Sequence, residues 1–336
     1  MGLFDIFSSK WSAGKMTEDD RKKLFWYLKR KSSYTAWKRE ADTFDRFAEI
    51  FERQVKEQPI GRDGPYSTNW ETSYPEILKA QVLYEKALAQ LKQGDRSVWL
   101  YNERGIMIDA STIANSWHSM LVNHGPHGDH FFEGKYVEDM TGAMREFFKV
   151  TQDTGYAQPM MADWSAPELW STMWQDDFAK MPIPKLLPDV PIPKTETLIR
   201  TGEEIPVFGI YEPQIKDGCM NYLPASGPAP TLPESDGTYA TGRYLPVTWK
   251  LIWEDTRYLD GVIPIEEDFY FPPEPKTEAK PQLVVKSDLI SASTGQKCPK
   301  TGNWAVMNDL QGKLFLEKSD IMPKHNDRDV TWVWVS

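Results

Sequence analysis

Residues Thr201 to Tyr211 and Thr294 to Trp304 align without a gap, and both read Thr-Gly-x-x-apolar-Pro-x-x-Gly-x-aromatic. Each phrase is followed by an apolar-Pro pair and the tripeptide Val-Thr-Trp. These are Leu245-Pro246 with Val247-Thr248-Trp249 in the first copy, and Met322-Pro323 with Val330-Thr331-Trp332 in the second. A phrase used twice implies one small structural unit built twice, and two copies are too few for a solenoid. Gly202 and Gly295 suit a tight turn with positive φ. Pro206 and Pro299 lack an N–H and belong at a strand edge or turn. Gly209 and Gly302 permit a bulge or close packing ahead of the aromatic residue. In Val-Thr-Trp the alternation of a strand puts Val and Trp on one sheet face. Nothing in the phrase is arranged as a nucleophile, base or metal ligand, so it reads as scaffold.

The first half of the chain has helical texture. From Trp37, apolar residues recur at Ala41, Phe44, Phe47, Ala48, Phe51 and Val55, one stripe of a helix that Pro59 and Gly61 stop. Thr17 followed by Glu18-Asp19-Asp20 caps an earlier helix. Ser73-x-x-Glu76 with Pro75 predicts a helix start leading through Leu91 to Gly94. Asp95 caps the next segment, which runs through Trp99 and Trp117 to about Asn123 and is weakened at Gly105 into two pieces. Tyr136 to Gln152 is a further amphipathic stretch. Ser165-x-x-Glu168 opens a last helix carrying Trp170, Trp174 and Phe178. Short connections between such helices predict antiparallel neighbours.

Helical texture ends at Met181, after which Pro182, Pro184, Pro188, Pro191 and Pro193 enforce extended backbone. Beyond them Thr197 to Ile199, Val207 to Tyr211, Val247 to Trp253, Leu283 to Lys286 and Thr331 to Val335 read as strands. The segment Leu223 to Thr241 reads as a long inserted loop. The expected fold is α+β: an N-terminal antiparallel helical bundle, then an all-β region of two related small SH3-like barrels. On this reading residues 1–181 are the helical domain, 182–196 a linker, and 197–271 the first β-repeat; 272–282 is a tether and 283–336 the second β-repeat.

The formal charge is −10, with the first sixty residues net basic and the acidic excess downstream. Such a body disfavours nonspecific phosphate binding and suits a basic partner. Two cysteines, Cys219 and Cys298, build neither a disulfide framework nor a paired metal site. No apolar run is long enough to span a bilayer, and the N-terminus lacks the layout of a signal peptide. The expectation is a cytosolic protein. The 14 tryptophans are core anchors or binding surface.

The C-terminal unit has Thr294, Gly295, Cys298, Pro299, Gly302 and Trp304, then Met322-Pro323 and a closing Trp332-x-Trp334. It resembles the immunity proteins of bacterial polymorphic-toxin systems, types seventy-one and seventy-two. The likeness covers Ser291 to Val335 most specifically and the Trp-rich helical half more loosely. One departure is the presence of Lys313 and Lys318 where arginines are expected. The resemblance implies a protein that binds and neutralises a cognate toxin domain, without catalysis and without a cofactor.

Four of five histidines lie in one segment, His118, His124, His127 and His130, beside Asp129 and Glu133. Three imidazoles at that spacing suit a metal only if the loop curls, and Gly125-Pro126 and Gly128 break the regularity. No phosphate-binding or nucleophile-elbow motif occurs, so no catalytic residue is assigned. The candidate partner-binding residues are Glu266, Glu267, Asp268, Phe269 and Tyr270, where aromatics supply contact area and acids steer a basic partner. Phe269 and Phe271 packing inward is the competing expectation. A second functional reading is a tandem SH3-like module that binds peptide or glycan in grooves built from Tyr211, Trp249, Trp304 and Trp332.

Overall fold

The computed structural model describes residues 17–60, 69–100, 105–123, 132–154, 183–215, 218–235, 240–271, 290–306 and 309–335. Among them the helices are α1 (Glu18–Lys31), α2 (Tyr34–Glu57), α3 (Trp70–Leu91), α4 (Ile106–His118) and α5 (Val137–Thr154). The strands are β1 (Leu198–Arg200), β2 (Gly209–Pro213), β3 (Asn221–Leu223), β4 (Leu232–Ser235) and β5 (Ala240–Leu245), followed by β6 (Thr248–Glu254), β7 (Ser291–Ser293), β8 (Gly302–Val306), β9 (Asp309–Leu316) and β10 (Thr331–Trp334). The class is α+β. The histidines at 124, 127 and 130, the stretch from Ser165 to Phe178, the tether and the strand expected at Leu283 to Lys286 lie outside the described residues.

Local chemistry explains the helix boundaries. Thr17 and Asp20 form a reciprocal capping box on α1: the Asp20 N–H donates to Thr17 Oγ1 at 3.1 Å, and the Thr17 N–H donates to Asp20 Oδ2 at 3.0 Å. Helix α3 begins before the Ser73 box. Asn69 Oδ1 accepts from the Thr72 N–H at 3.2 Å, so an asparagine three residues upstream starts the helix and Pro75 lies inside it. Gly94, at φ +84°, ends that helix. The segment after Asp95 is two pieces, as the glycine at 105 implies: a 3₁₀ turn at Ser97–Trp99, then α4, which continues as a π-turn through Asn123. Residues 183–197 form neither helix nor strand.

The strands build two four-stranded antiparallel sheets, in the orders β1-β6-β2-β3 and β7-β10-β8-β9. The duplication extends to individual hydrogen bonds. Thr201 Oγ1 donates to the Pro230 carbonyl (3.0 Å) and accepts from the Val247 N–H (2.9 Å); Thr294 Oγ1 does the same with Pro323 (3.1 Å) and Val330 (2.9 Å). The indole N–H of Trp249 donates to Pro230 O at 2.9 Å, and that of Trp332 to Pro323 O at 2.8 Å. Gly202 and Gly295 take φ of +85° and +84°. Val247 and Trp249 sit in one core, and Trp332, with Val330 against it, in the other.

Three expectations need correcting. The proline equivalent to Pro323 is Pro230, not Pro246, because Pro230 offers the carbonyl that closes the turn. The segment after it is not a plain loop: β4 and β5 pair as an antiparallel hairpin, Leu232 opposite Leu245. Leu232 is buried in the first sheet's core, and that anchor outweighs the loop-like composition around it. Neither sheet is closed into a barrel among the described residues. Strands β1, β3 and β7 at the edges are three residues each, and no pairing joins one edge of a sheet to the other.

The chain divides into two compact units. The first is Met1–Arg39, Ala87–Ile108 and Thr151–Glu274; the second is Glu40–Lys86, Asp109–Val150 and Pro275–Ser336. In the first, Leu24 to Leu28 are buried without a break, so this part of α1 is covered on every side. One partner of α1 is set by a bulge. Strands β2 and β6 pair as Ile210 with Trp253 and Tyr211 with Leu251, leaving Ile252 as an extra residue. The bulge turns Trp253 off the face holding Trp249 and onto α1, where it meets Phe25 edge-on at 6.0 Å. Gly209 is required beside it, since a Cβ there would lie 2.3 Å from the Trp253 carbonyl oxygen. In the second unit, aromatic rings from α2, α3, α4 and α5 form the helical core. Phe44 packs with Tyr84 and Phe147, and Phe51 with Trp70 and Trp117. Truncating one such buried ring costs about 3–5 kcal/mol.

Candidate partner-binding surface

In the first unit the chain leaves β6 at Glu254 and runs from Asp255 to Phe271 over a buried set of charges. Asp255 sits at its centre, fully enclosed. Its Oδ1 accepts from Arg96 Nη2 at 2.7 Å and from Arg257 Nε at 2.8 Å; its Oδ2 accepts from Arg257 Nη2 at 2.7 Å and from the Tyr222 hydroxyl at 2.9 Å. Burial alone would raise the Asp255 pKa, but Arg257 and then Arg96 outweigh it and hold the carboxyl at about 2. Arg257 also donates to the Lys29 carbonyl at 2.9 Å and to Ser32 Oγ at 2.7 Å, which ties the segment to the end of α1.

A second buried acid completes the set. Glu267 Oε2 accepts from the Thr35 N–H at 2.9 Å, at the positive end of α2, and its Oε1 lies 3.7 Å from Arg257. The Tyr258 hydroxyl donates to Glu267 Oε1 and accepts from the Tyr34 N–H at 2.7 Å. Burial pushes the phenol of Tyr258 up, with Glu267 adding to the effect. Arg96 and Arg257 thus face Asp255 and Glu267, two cations against two acids, and such pairing is what lets charges persist in an interior. Tyr258 itself has φ +69°. A left-handed conformation at a bulky residue costs on the order of 1–3 kcal/mol and persists only where the surroundings over-determine it.

The five sequence-selected residues separate into two groups. Ile265–Phe269 is a 3₁₀ helix. With three residues per turn, positions three apart share a face. Glu267 and Tyr270 share the buried one, at 1 % and 2 % exposure, and so belong to the support rather than to the surface. Burial, again the largest influence, raises the Tyr270 phenol. Ile265 with Asp268, and Glu266 with Phe269, form the other two faces. Phe269 is 72 % exposed, whereas Phe271 is buried between Arg30 and Arg39, their guanidinium carbons 4.2 and 4.5 Å from its ring centre. Glu266 is ion-paired to Lys29 at 2.6 Å. Acids and aromatics adjoin along this run, so residue type alone marks them together. Only the 3₁₀ period, which the run Ile265 to Tyr270 also allowed, tells outward from inward.

Leu259, Val262 and Ile265, outside the five candidates, are exposed in the same stretch at 68 %, 60 % and 78 %. The four rings proposed to line ligand grooves, Tyr211, Trp249, Trp304 and Trp332, are all buried, so that reading loses its rings. Among the described residues no three His, Cys, Asp or Glu side chains converge as a metal site, and no helix is long and apolar enough to cross a membrane. His118 stacks on Phe148 at 4.3 Å between ring centres, and burial lowers its pKa.

No curated protein and no solved structure gives a significant match. Two family models do match: "Immunity protein 71" over residues 15–180, and "Immunity protein 72" over residues 233–271, the second ending on the segment described above. Together they place this chain with the immunity proteins of the 71/72 type.

Proposed function

We propose that this protein binds a cognate toxin domain acting in the cytosol and neutralises it by occlusion, without catalysis and without a cofactor. The observation that carries the reading is the pair of family matches, one over the helical half and one ending at Phe271. The surface agrees with it. The outward part of Glu266 to Tyr270, namely Glu266, Asp268 and Phe269, stands on a rigid buried support, so little ordering entropy is lost when a partner docks. Proteins that act by blocking need area and shape rather than converging catalytic groups; a stable complex buries roughly 1,600 Å² in total.

The test is co-expression with the toxin domain encoded beside the gene. Restored growth, and a complex that survives gel filtration, are the expected results. Continued toxicity with no complex would refute the reading.

A further inference from the structure

Four large apolar side chains, Leu259, Val262, Ile265 and Phe269, are more than half exposed within eleven consecutive residues. Apolar groups exposed close together and set among polar residues are the kind of surface that interaction sites use. Two acids punctuate it, Asp260 and Asp268, and neither has an ion-pair partner among the described residues. Glu266, by contrast, is already neutralised by Lys29. The stretch begins immediately after Tyr258, whose strained backbone is pinned by Glu267 and by the α2 N-terminus. It is also held from the side: Leu259 lies against Gly94, where a Cβ would approach Leu259 Cδ2 to 2.7 Å.

Resting on the function proposed above, we infer that Leu259–Phe269 is the energetic centre of the toxin interface and that its occupant is a cationic protein surface with apolar groups between its basic side chains. The chemistry follows from the arrangement. The apolar residues supply desolvated contact area, and the two unneutralised carboxylates, on a chain of net charge −10, speed encounter with a basic surface. Tyr258, Glu267, Arg257 and Asp255 are positioning residues: they hold the loop in shape and need not touch the partner.

The probe is the toxin domain used in the co-expression test, in a catalytically disabled form. Ile265→Ala and Phe269→Ala, both at exposed positions, should each weaken the complex at least tenfold, chiefly through faster dissociation. Asp260→Asn with Asp268→Asn should slow association and flatten its salt dependence. Glu267→Gln should speed amide exchange across 259–269 in the free protein, and the toxin should protect those amides in the unaltered one. A complex that forms normally, is indifferent to both alanine variants and leaves 259–269 unprotected would overturn the inference while leaving the function intact. No complex with the unaltered protein would overturn both. A toxin-free dimer broken by Phe269→Ala would assign the surface to a second copy of this chain instead.

Discussion

Replacing Asp255 with asparagine isolates the energy of the buried charge set. The carboxylate accepts four side-chain hydrogen bonds, at 2.7, 2.8, 2.7 and 2.9 Å, from two guanidinium groups and a phenol. An amide keeps one acceptor oxygen and turns an NH₂ group toward a cation. Removing one partner from a buried charge set costs about 3–5 kcal/mol, because the remaining charge stays desolvated. The titration supplies an independent figure. The fall from the ordinary 3.8 to about 2, at about 1.4 kcal/mol per pH unit, is worth about 2–3 kcal/mol. The second figure is smaller because it already nets the cost of burial against the pairing, whereas the substitution takes away the carboxylate that faces Arg96 and leaves Arg257 only Glu267, 3.7 Å away. We expect about 3 kcal/mol, which is more than a hundredfold in the opening equilibrium. Amide exchange by mass spectrometry, read on peptides covering 28–34 and 255–268, measures that opening directly. The folded-state pKa is depressed, so the wild-type contribution is present above 3.8 and is lost as pH falls from there toward 2. Exchange accelerated by less than about threefold would refute the reasoning, since desolvation would then cancel pairing and the loop would owe its shape to something else.

Thr201→Val and Thr294→Val each strip a hydroxyl that satisfies the N–H of Val247 or Val330; each should destabilise by about 1–3 kcal/mol. Urea melts in which only one substitution mattered would disprove the equivalence of the two turns. Gly94→Ala places a Cβ at a φ of +84° and against Leu259. It should lower thermal stability by about 1–3 kcal/mol and shift the exchange of the 259–262 amides; a neutral result would show that Leu259 is not held from that side. His118, whose pKa burial lowers, is neutral when folded. Its contribution is complete above the unfolded value near 6.5 and declines as pH drops through the lower folded value. Melting temperatures between pH 7.5 and 5 should fall, and less steeply in His118→Gln; equal slopes would exclude His118 as the source.

Much of this molecule was legible one residue at a time. Thr17 with Asp20, the stripe from Trp37 to Phe51, and the paired Thr-Gly turns with Val-Thr-Trp strands all depend on neighbours within a few positions. Local rules suffice there, because capping, helical period and strand alternation are set by short-range geometry. The misplaced features share the opposite character. Asn69 outcompeted the Ser73 box, and Pro230 rather than Pro246 closes the first turn because its carbonyl meets Thr201 and Trp249 across the fold. The hairpin β4–β5 exists because Leu232 finds a core.

The amino-acid order by itself determined the α+β division, the duplicated turn-and-strand unit and the immunity-protein resemblance, all of which rest on residue type and spacing along the chain. Tertiary structure alone decided which of Glu266 to Tyr270 face outward, that Asp255 and Glu267 neutralise Arg96 and Arg257, and that Trp253 turns onto α1. The physical reason is distance in sequence. Arg96 and Asp255 are 159 positions apart, and the low-dielectric interior in which their charges cancel comes into being only once the chain has folded.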